Sequence, residues 1–164
     1  MKGIDVSNHQ GLIDWAKVKA AGIEFAIVRA GYGQYSTQVD SKAHQNIFGA
    51  LGAGLHVGAY WFSYATTPEE AKAEADLCAD TIEKYKGKLD FPVYFDYEYD
   101  SEIYSKQKGV IPTQALRESL AKAFCEEIEA RGWRAGVYTN LDYLRTRWRK
   151  EALNAWEIWL ADYT

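Results

Sequence analysis

The sequence predicts one α/β domain in which parallel strands alternate with helices. Six short apolar segments have the composition of β-strands, and they lie at residues 3–7, 25–31, 56–63, 91–99, 134–139 and 156–163. Helical periodicity occupies the intervals between them, and this alternation is typical of an α/β fold. Connections of such length favour parallel strands with helices outside. The length of 164 residues fits a single domain.

The helices are indicated by their start and stop signals. Asp14 can cap a helix that contains Trp15. The segment Thr67-Pro68-Glu69-Glu70 combines a capping threonine, a proline at the first helical position and a glutamate three residues after the cap. The clearest amphipathic helix begins at Thr113 and ends at Gly132. Its apolar positions recur every four residues, at Leu116, Leu120, Phe124 and Ile128.

Two arrangements of the strands remain open, a doubly wound open sheet and a closed barrel. A nucleotide-binding open sheet would carry a glycine-rich phosphate loop, but Gly31-Tyr32-Gly33 lacks a third glycine at the required spacing. The barrel is therefore favoured. Six strand segments are nevertheless two fewer than the eight of a usual closed α/β barrel.

Composition excludes several classes of function. The formal net charge of −4 argues against a nucleic-acid partner, which would favour a basic face. No apolar stretch has the length of a signal peptide or a transmembrane helix. The spacing of Cys78 and Cys125 fits no zinc motif, and both are predicted to be buried free thiols in helices, with a disulfide between them as the open alternative. The three histidines do not form a ligand set, so no metal or other cofactor is predicted.

The segment with the clearest chemistry is 91–100, an apolar strand that ends in acids at alternate positions. Side chains two apart on a strand share a face, so Asp96 and Glu98 are predicted to point the same way at the strand's C-terminal end. Active sites of parallel barrels lie at that end. Mutual repulsion can leave one carboxyl group protonated and the other ionised, as glycosidic bond cleavage requires. Alternatively, these acids face solvent or cap the next helix, and Asp100 is predicted to be a loop or capping residue.

Further candidates lie at the ends of other strands. Asp5 faces opposite to Ile4 and Val6, which in a barrel covered by helices is the lumen side, and either a catalytic role or a structural hydrogen bond fits it. Aromatic rings can stack on sugars. The candidate sugar-binding rings near strand ends are Tyr32, Tyr60, Phe62, Tyr138 and Tyr163, whereas packing roles are predicted for Trp15, Trp133, Trp148 and Trp159.

Short segments spread over nearly the whole chain resemble one known family in their order and spacing. They include Gly3-Ile4-Asp5-Val6-Ser7, Ile13-Asp14-Trp15, Phe25-Ala26-Ile27-Val28-Arg29-Ala30, Val57-Gly58-Ala59-Tyr60, Asp96-Tyr97-Glu98, Gly136-Val137-Tyr138-Thr139 and Trp159-Leu160-Ala161. Together these segments resemble glycoside hydrolase family 25, the Chalaropsis-type lysozymes, a group that includes phage endolysins and bacterial autolysins.

The resemblance implies an activity, a fold and roles for three acids. The expected reaction is hydrolysis of the β-1,4 bond between N-acetylmuramic acid and N-acetylglucosamine in cell-wall peptidoglycan, outside the cell, by a secreted or phage-released enzyme. The expected fold is an irregular barrel of five β/α units followed by three strands. By the matching motif, Glu98 would be the general acid, Asp96 would stabilise positive charge or orient the substrate's acetamido group, and Asp5 would shape the electrostatics. Both direct water attack and substrate assistance remain open.

The chain departs from the family pattern after the segment Trp159-Leu160-Ala161. Family members continue through two more strands, the last of which carries a further active-site aspartate, and Asp162 does not occupy that motif. The expectation is therefore a catalytic domain over 1–164 that lacks its last two strands. A longer protein, a second chain or self-association would then complete the barrel.

Two other functions stay open from the sequence. The first is a catalytically weak wall-binding or regulatory fragment, since the aromatic cleft could persist without turnover. The second is a metal-dependent barrel enzyme with Asp96, Glu98 and Asp100 as oxygen ligands. It ranks last, because the sequence shows no lysine or histidine base beside the three acids.

Overall fold

The computed structural model describes residues 1–162, and these contain a single six-stranded parallel sheet. Its strands pair in sequence order, each with the next along the chain. They are β1 (Gly3–Val6), β2 (Phe25–Tyr32), β3 (His56–Phe62), β4 (Val93–Asp96), β5 (Ala135–Asn140) and β6 (Glu157–Ala161). A doubly wound sheet reverses its strand order at a switch point, whereas a barrel does not. The observed order is therefore that of a barrel wall.

Helices connect successive strands. Within residues 1–162 they are α1 (Trp15–Ala20), α2 (Ala43–Gly52), α3 (Pro68–Ile82), α4 (Tyr99–Gln107), α5 (Gln114–Ala130), α6 (Leu141–Thr146) and α7 (Lys150–Leu153), with short 3-10 turns at Asn8–Gln10, Ser36–Gln38 and Glu83–Tyr85. The predicted caps are confirmed, because Asp14, Thr67 and Thr113 each accept a hydrogen bond from a backbone N–H in the first turn. None of these helices is long and apolar enough to cross a membrane.

The sheet curls into a half-barrel. In a flat sheet the backbones of β3 and β6 would lie about 14 Å apart, since neighbouring strands are separated by about 4.8 Å. The ring of Trp159 on β6 nevertheless lies 5.6 Å from the ring of Tyr60 on β3. The concave face of the sheet therefore corresponds to the lumen side of a barrel. In the described part of the chain, β1 and β6 do not pair with each other.

The core lies between the convex face of the sheet and the helices. Helices α3 and α5 pack against each other, and Leu120, Phe124 and Ile128 of α5 are fully buried, as the periodicity predicts. Cys78 and Cys125 are buried free thiols, as predicted. Trp15, Trp133 and Trp148 are buried in the same core, which confirms their packing role.

The predicted boundary of the fourth strand is wrong at both ends. The sequence predicts a strand over 91–99, but β4 is only Val93–Asp96 and α4 begins at Tyr99. Glu98 occupies the position before α4, where its backbone N–H donates to Ser101 Oγ at 3.1 Å. The other predicted strands agree with the structure to within two residues in the described chain. After Asp96 the chain leaves the sheet, and the backbone N–H of Glu98 bonds Ser101 of α4 instead of a neighbouring strand.

One carboxyl group, that of Glu74 on α3, is fully buried behind the loop that follows β3. Its Oε1 accepts the backbone N–H of Tyr64 at 2.8 Å, and its side chain also bonds that of Ser63. Burial raises the pKa of Glu74 to about 8. Glu70, one turn earlier on α3, accepts hydrogen bonds from Thr66, and these outweigh the effect of burial so that its pKa is lowered.

We expect Glu74→Gln to stabilise the protein progressively as pH rises from 5 to 8. The unfolded chain releases this proton near pH 4.5, whereas the folded chain retains it until about pH 8. Folding stability therefore falls across that window in the wild type, by at most about 3 kcal/mol at pH 7, and the neutral amide avoids this loss. Urea unfolding of both proteins at several pH values measures the difference.

Glu70→Gln provides a control of opposite sign. Because the folded pKa of Glu70 is depressed, its contribution is present at neutral pH and is lost as pH falls through the folded pKa. Glu70→Gln should therefore lower the free energy of unfolding at pH 7, and this loss should shrink as the pH is lowered. A difference between wild type and Glu74→Gln that did not change with pH would contradict the buried, protonated state of Glu74.

Candidate active site

A cavity of about 420 Å³ opens on the concave side of the sheet, at the C-terminal ends of the strands. Side chains from both edges of the sheet line it, from β1 and the turn after it to the end of β6. The lining residues are Asp5, Ser7, His9, Arg29, Tyr60, Phe62, Asp96, Glu98, Tyr138, Trp159, Ala161 and Asp162. The curl of the sheet is what brings residues so distant in sequence around one space.

Asp96 and Glu98 both line this cavity, as their spacing predicts. Asp96 is the last residue of β4 and is only 4% exposed. The intervening Tyr97 points to the opposite side, where its ring stacks on Phe95 and lies 6.0 Å from the Arg117 guanidinium. Glu98 keeps an extended backbone, with φ −129° and ψ −166°, so the alternation of sides continues for one residue past the strand.

The surroundings raise the pKa values of both carboxyl groups. Burial, followed by the negative charges of Glu98 and Asp5, raises the pKa of Asp96 well above its usual range. Burial, together with the charges of Asp100 and Asp5, also raises the pKa of Glu98, although a hydrogen bond from Asp96 acts in the opposite direction. The more deeply buried Asp96 is therefore the group of the pair that more strongly favours its protonated form, and in that form it can donate a hydrogen bond to Glu98. The arrangement offers a proton to a bound molecule while keeping one negative charge nearby.

Asp5 lines the same cavity from β1, on the lumen side that the sequence predicts. Its side chain is exposed to solvent, and its negative charge acts on both Asp96 and Glu98. Asp100, in contrast, lies in the first turn of α4 and lines a neighbouring cavity. The sequence predicts that Asp100 is a loop or capping residue; the structure places it not in a loop but in the first turn of α4, one residue after the helix begins.

Sequence reasoning missed an arginine network beside the carboxylates. Arg29 of β2 donates through Nε to Asp40 Oδ2 at 2.8 Å and through Nη2 to Asn8 Oδ1 at 2.7 Å. The backbone N–H of Asn8 also donates to Asp40 Oδ2, at 3.0 Å. The network thereby fixes the turn that carries Ser7 and His9 to the cavity wall. A charged residue inside the apolar strand Phe25–Tyr32 was the available sequence signal.

The predicted aromatic residues divide among three locations. Tyr60, Phe62 and Tyr138 line the cavity, and burial followed by the charge of Asp96 raises the pKa of Tyr60, so its hydroxyl stays protonated. Tyr32 lines neighbouring space instead. Tyr163 lies outside the described residues.

Trp159 corrects a prediction. The sequence favours a packing role for it, but the residue alternates with the outward-facing Ile158 and Leu160 on β6 and so faces the lumen. There it lines the cavity. Its ring lies 4.7 Å from the ring of Tyr138 and 5.5 Å from that of Tyr94, so it packs against its neighbours and forms cavity wall at once.

The cavity continues on both sides of the carboxylates. Towards β2, a second cavity of about 440 Å³ shares His9, Arg29 and Phe62 with the first. Towards β5 and α6, a third cavity of about 470 Å³ shares Glu98 and the residues at the end of β6. Together they form one groove across the C-terminal end of the sheet, with the carboxylates between its two arms.

The described residues offer no evident metal centre. Within 1–162, no group of three or more histidine, cysteine, aspartate or glutamate side chains is placed to hold a metal ion. Asp96 and Glu98 face the first cavity while Asp100 faces the second, so the three acids do not line one common cavity.

Comparison with known proteins identifies relatives over nearly the whole chain. Residues 4–164 match the family model described as glycosyl hydrolases family 25. The chain is 38% identical over 79 residues to Lysozyme M1 of Streptomyces globisporus, which is 48% of this chain and 26% of that protein. It is 29% identical over 165 residues to the autolytic lysozyme of Clostridium acetobutylicum, which is 99% of this chain and 45% of that protein.

A solved structure supports the same relationship. The modular autolysin LytC from Streptococcus pneumoniae superposes with a TM-score of 0.82 at 27% identity, over 99% of this chain and 38% of that one. The chain thus spans less than half the length of these relatives.

Proposed function

The chain belongs to family 25 of the glycosyl hydrolases, and from this premise we propose that it carries the catalytic domain of a peptidoglycan hydrolase. The proposed reaction is cleavage of the β-1,4 bond between N-acetylmuramic acid and N-acetylglucosamine. The observation that carries this proposal is the Asp96–Glu98 pair, whose two carboxyl groups line one cavity with further cavities on both sides. We propose that residues 1–164 belong to one such domain.

The shape of the groove supports cleavage inside a polymer. An enzyme that cuts within a glycan must bind sugars on both sides of the scissile bond. Glu98 lines the first and third cavities, and Phe62 lines the first and second, so a chain of sugars can pass the carboxylates without turning. The aromatic walls of the central cavity, Tyr60, Tyr138 and Trp159, suit the apolar faces of sugar rings.

The carboxyl pair supports the following division of roles. Glu98 is the less buried of the two and lines both the central and the third cavity, so it is the acid that reaches the glycosidic oxygen. Its proton comes from Asp96 along their shared hydrogen bond. Once the proton has moved, Asp96 carries the negative charge that stabilises positive charge on the sugar carbon or orients the acetamido group. Asp5 and Arg29 set the electrostatic balance around the pair, since their charges act in opposite directions on Asp96.

We further propose that the sheet is part of an irregular (β/α)5β3 barrel, in which two more strands would lie between β6 and β1. The sequential parallel order of the six strands supports this. The outer face of β6 supports it as well, because Ile158 and Leu160 there are 39% and 42% exposed. The proposed place of action is the bacterial cell wall, outside the cytoplasm, with peptidoglycan as the macromolecular partner.

A turbidity assay on purified cell walls, with and without a chelator, tests the proposed function. We expect the protein to clear the suspension at the same rate in both conditions, since the carboxylates need no metal. Association with the walls without clearing would instead identify a binding module. Clearing that the chelator abolishes, and that added metal restores, would identify a metal-dependent enzyme.

A further inference from the structure

A fourth cavity, of about 310 Å³, continues the groove beyond the second cavity. Four tyrosines and two glutamines form most of its wall, and we call it the tyrosine pocket. They are Tyr32, Gln34, Tyr35, Gln38, Tyr64 and Tyr104. Because Tyr32 and Tyr64 also line the second cavity, the tyrosine pocket adjoins the groove that passes the carboxylates.

The loop after β2 is held in a fixed shape that presents one wall of this pocket. Gly33 has a φ of 66°, which favours glycine, and its backbone N–H donates to the Phe62 carbonyl at 3.0 Å. The Trp61 indole donates in turn to the Gly33 carbonyl at 3.0 Å. Gln38 Oε1 accepts the backbone N–H of Tyr35 at 2.9 Å. The wall therefore exists before any ligand binds.

The rings of the pocket support one another and leave one ring available. The Tyr64 ring packs edge-on against Tyr104 at 5.2 Å and against Tyr32 at 6.3 Å. Tyr35, by contrast, is 67% exposed. An exposed ring at the rim of a preformed aromatic pocket is suited to stacking against the apolar face of a ligand.

Charges of both signs surround the pocket but none lies on its wall, and Lys108 Nζ is 5.3 Å from the centre of the Tyr104 ring while the Arg29 guanidinium is 5.6 Å from that of Tyr32. Asp100 is another nearby charge: burial, followed by the negative charge of Asp100, raises the pKa of Tyr64. Glu70 hydrogen-bonds Gln34 from outside the pocket, which adds a second carboxylate to its surroundings. The pocket wall offers no charged side chain to pair with the free carboxylates of wall peptides, whereas N-acetylated sugars are uncharged at their rings and amides and can bond the glutamine amides.

We propose that the tyrosine pocket is a distal subsite that binds an N-acetylhexosamine unit of the glycan, and not its peptide. The sugar would stack on Tyr35 and bond Gln34 or Gln38. This inference rests on the proposed function, since it assigns the pocket to the same glycan that passes the carboxylates. Its consequence is that the protein binds long glycan strands more tightly than short ones.

Calorimetric titration with a length series of peptide-free glycan strands tests this subsite. The proteins compared all carry Glu98→Gln, so that the strands remain intact. We expect affinity to rise with strand length until the pocket is filled, and Tyr35→Ala to remove up to about tenfold of affinity for long strands only. Tyr104→Ala, on the facing wall, should act in the same way. Phe48→Ala, which removes an equally exposed ring on the outer helix α2, should change nothing.

Two results would overturn the subsite. One is equal affinity of the Tyr35→Ala and Phe48→Ala proteins for every strand. The other is a loss of affinity that appears only with peptide-bearing strands, which would assign the pocket to the peptide. These titrations measure binding and not turnover, so the subsite and the proposed function can fail separately. If the wild-type protein bound long strands through Tyr35 but did not cleave them, the proposed function would be overturned and the subsite would stand.

Discussion

Replacing Glu98 by glutamine is expected to reduce wall lysis by about 10²- to 10⁴-fold, the range typical for loss of a general acid. The amide keeps the size of the side chain but cannot deliver a proton to the glycosidic oxygen. The fold should be retained, since the backbone N–H of Glu98 still donates to Ser101. Burial disfavours the ionised form of Glu98 and so raises its pKa, and the neutral amide carries no such cost to folding stability. Initial clearing rates and thermal unfolding of both proteins measure the two quantities.

Glu126→Gln is the matched control, because it makes the same change on the exposed face of α5. It should clear walls at the wild-type rate. A folded Glu98→Gln protein that also cleared walls at that rate would remove Glu98 from the role of acid.

Asp96→Asn is expected to impair turnover strongly, and more severely than Asp5→Asn. Asp96 is buried and bonded directly to Glu98, whereas Asp5 is exposed and acts on the pair only through its charge. Asparagine can still donate a hydrogen bond to Glu98, but it can neither pass on a proton nor carry the negative charge that follows. Steady-state rates of the two variants on purified walls measure the order of severity, and a much larger defect in Asp5→Asn would reverse the assignment.

The residual activity of Asp96→Asn should also have a different pH profile. In the wild type, activity is lost on the alkaline side when the pair releases its shared proton, and this step lies high because burial and the neighbouring charge raise the pKa of Asp96. In the variant, Glu98 titrates without the buried carboxyl group of Asp96 beside it, while the charges of Asp100 and Asp5 still act on it. The alkaline limb should therefore move to lower pH. An unchanged alkaline limb would contradict a proton shared between the two groups.

Much of the fold could be predicted from local signals. The caps at Asp14, Thr67 and Thr113 are individual side chains that bond the next turn, and the sequence displays them directly. The choice between an open sheet and a barrel is different, because it depends on which strands become neighbours. That outcome is decided by long-range packing, such as the contact of Trp159 with Tyr60 across three strands, which no local pattern contains.

The candidate site divides in the same way. The shared direction of Asp96 and Glu98 follows from alternation along an extended chain, so it could be predicted even though the strand ends at Asp96. The hydrogen bond between Arg29 and Asp40 could not be predicted, because Asp40 lies in a loop whose path depends on the structure around it. The tyrosine pocket escaped prediction for a similar reason: Tyr104 belongs to α4, a helix that the sequence pattern did not indicate.

Identification of the new reducing end on digested walls tests the central claim most directly. Walls incubated with the protein would be treated with borohydride, which reduces each newly formed end, and the fragments would then be identified by mass spectrometry. Cleavage by the Asp96–Glu98 pair as proposed predicts reduced N-acetylmuramic acid at the new ends, and its absence from walls treated with Glu98→Gln. Reduced N-acetylglucosamine, or new ends that persist with Glu98→Gln, would contradict the account.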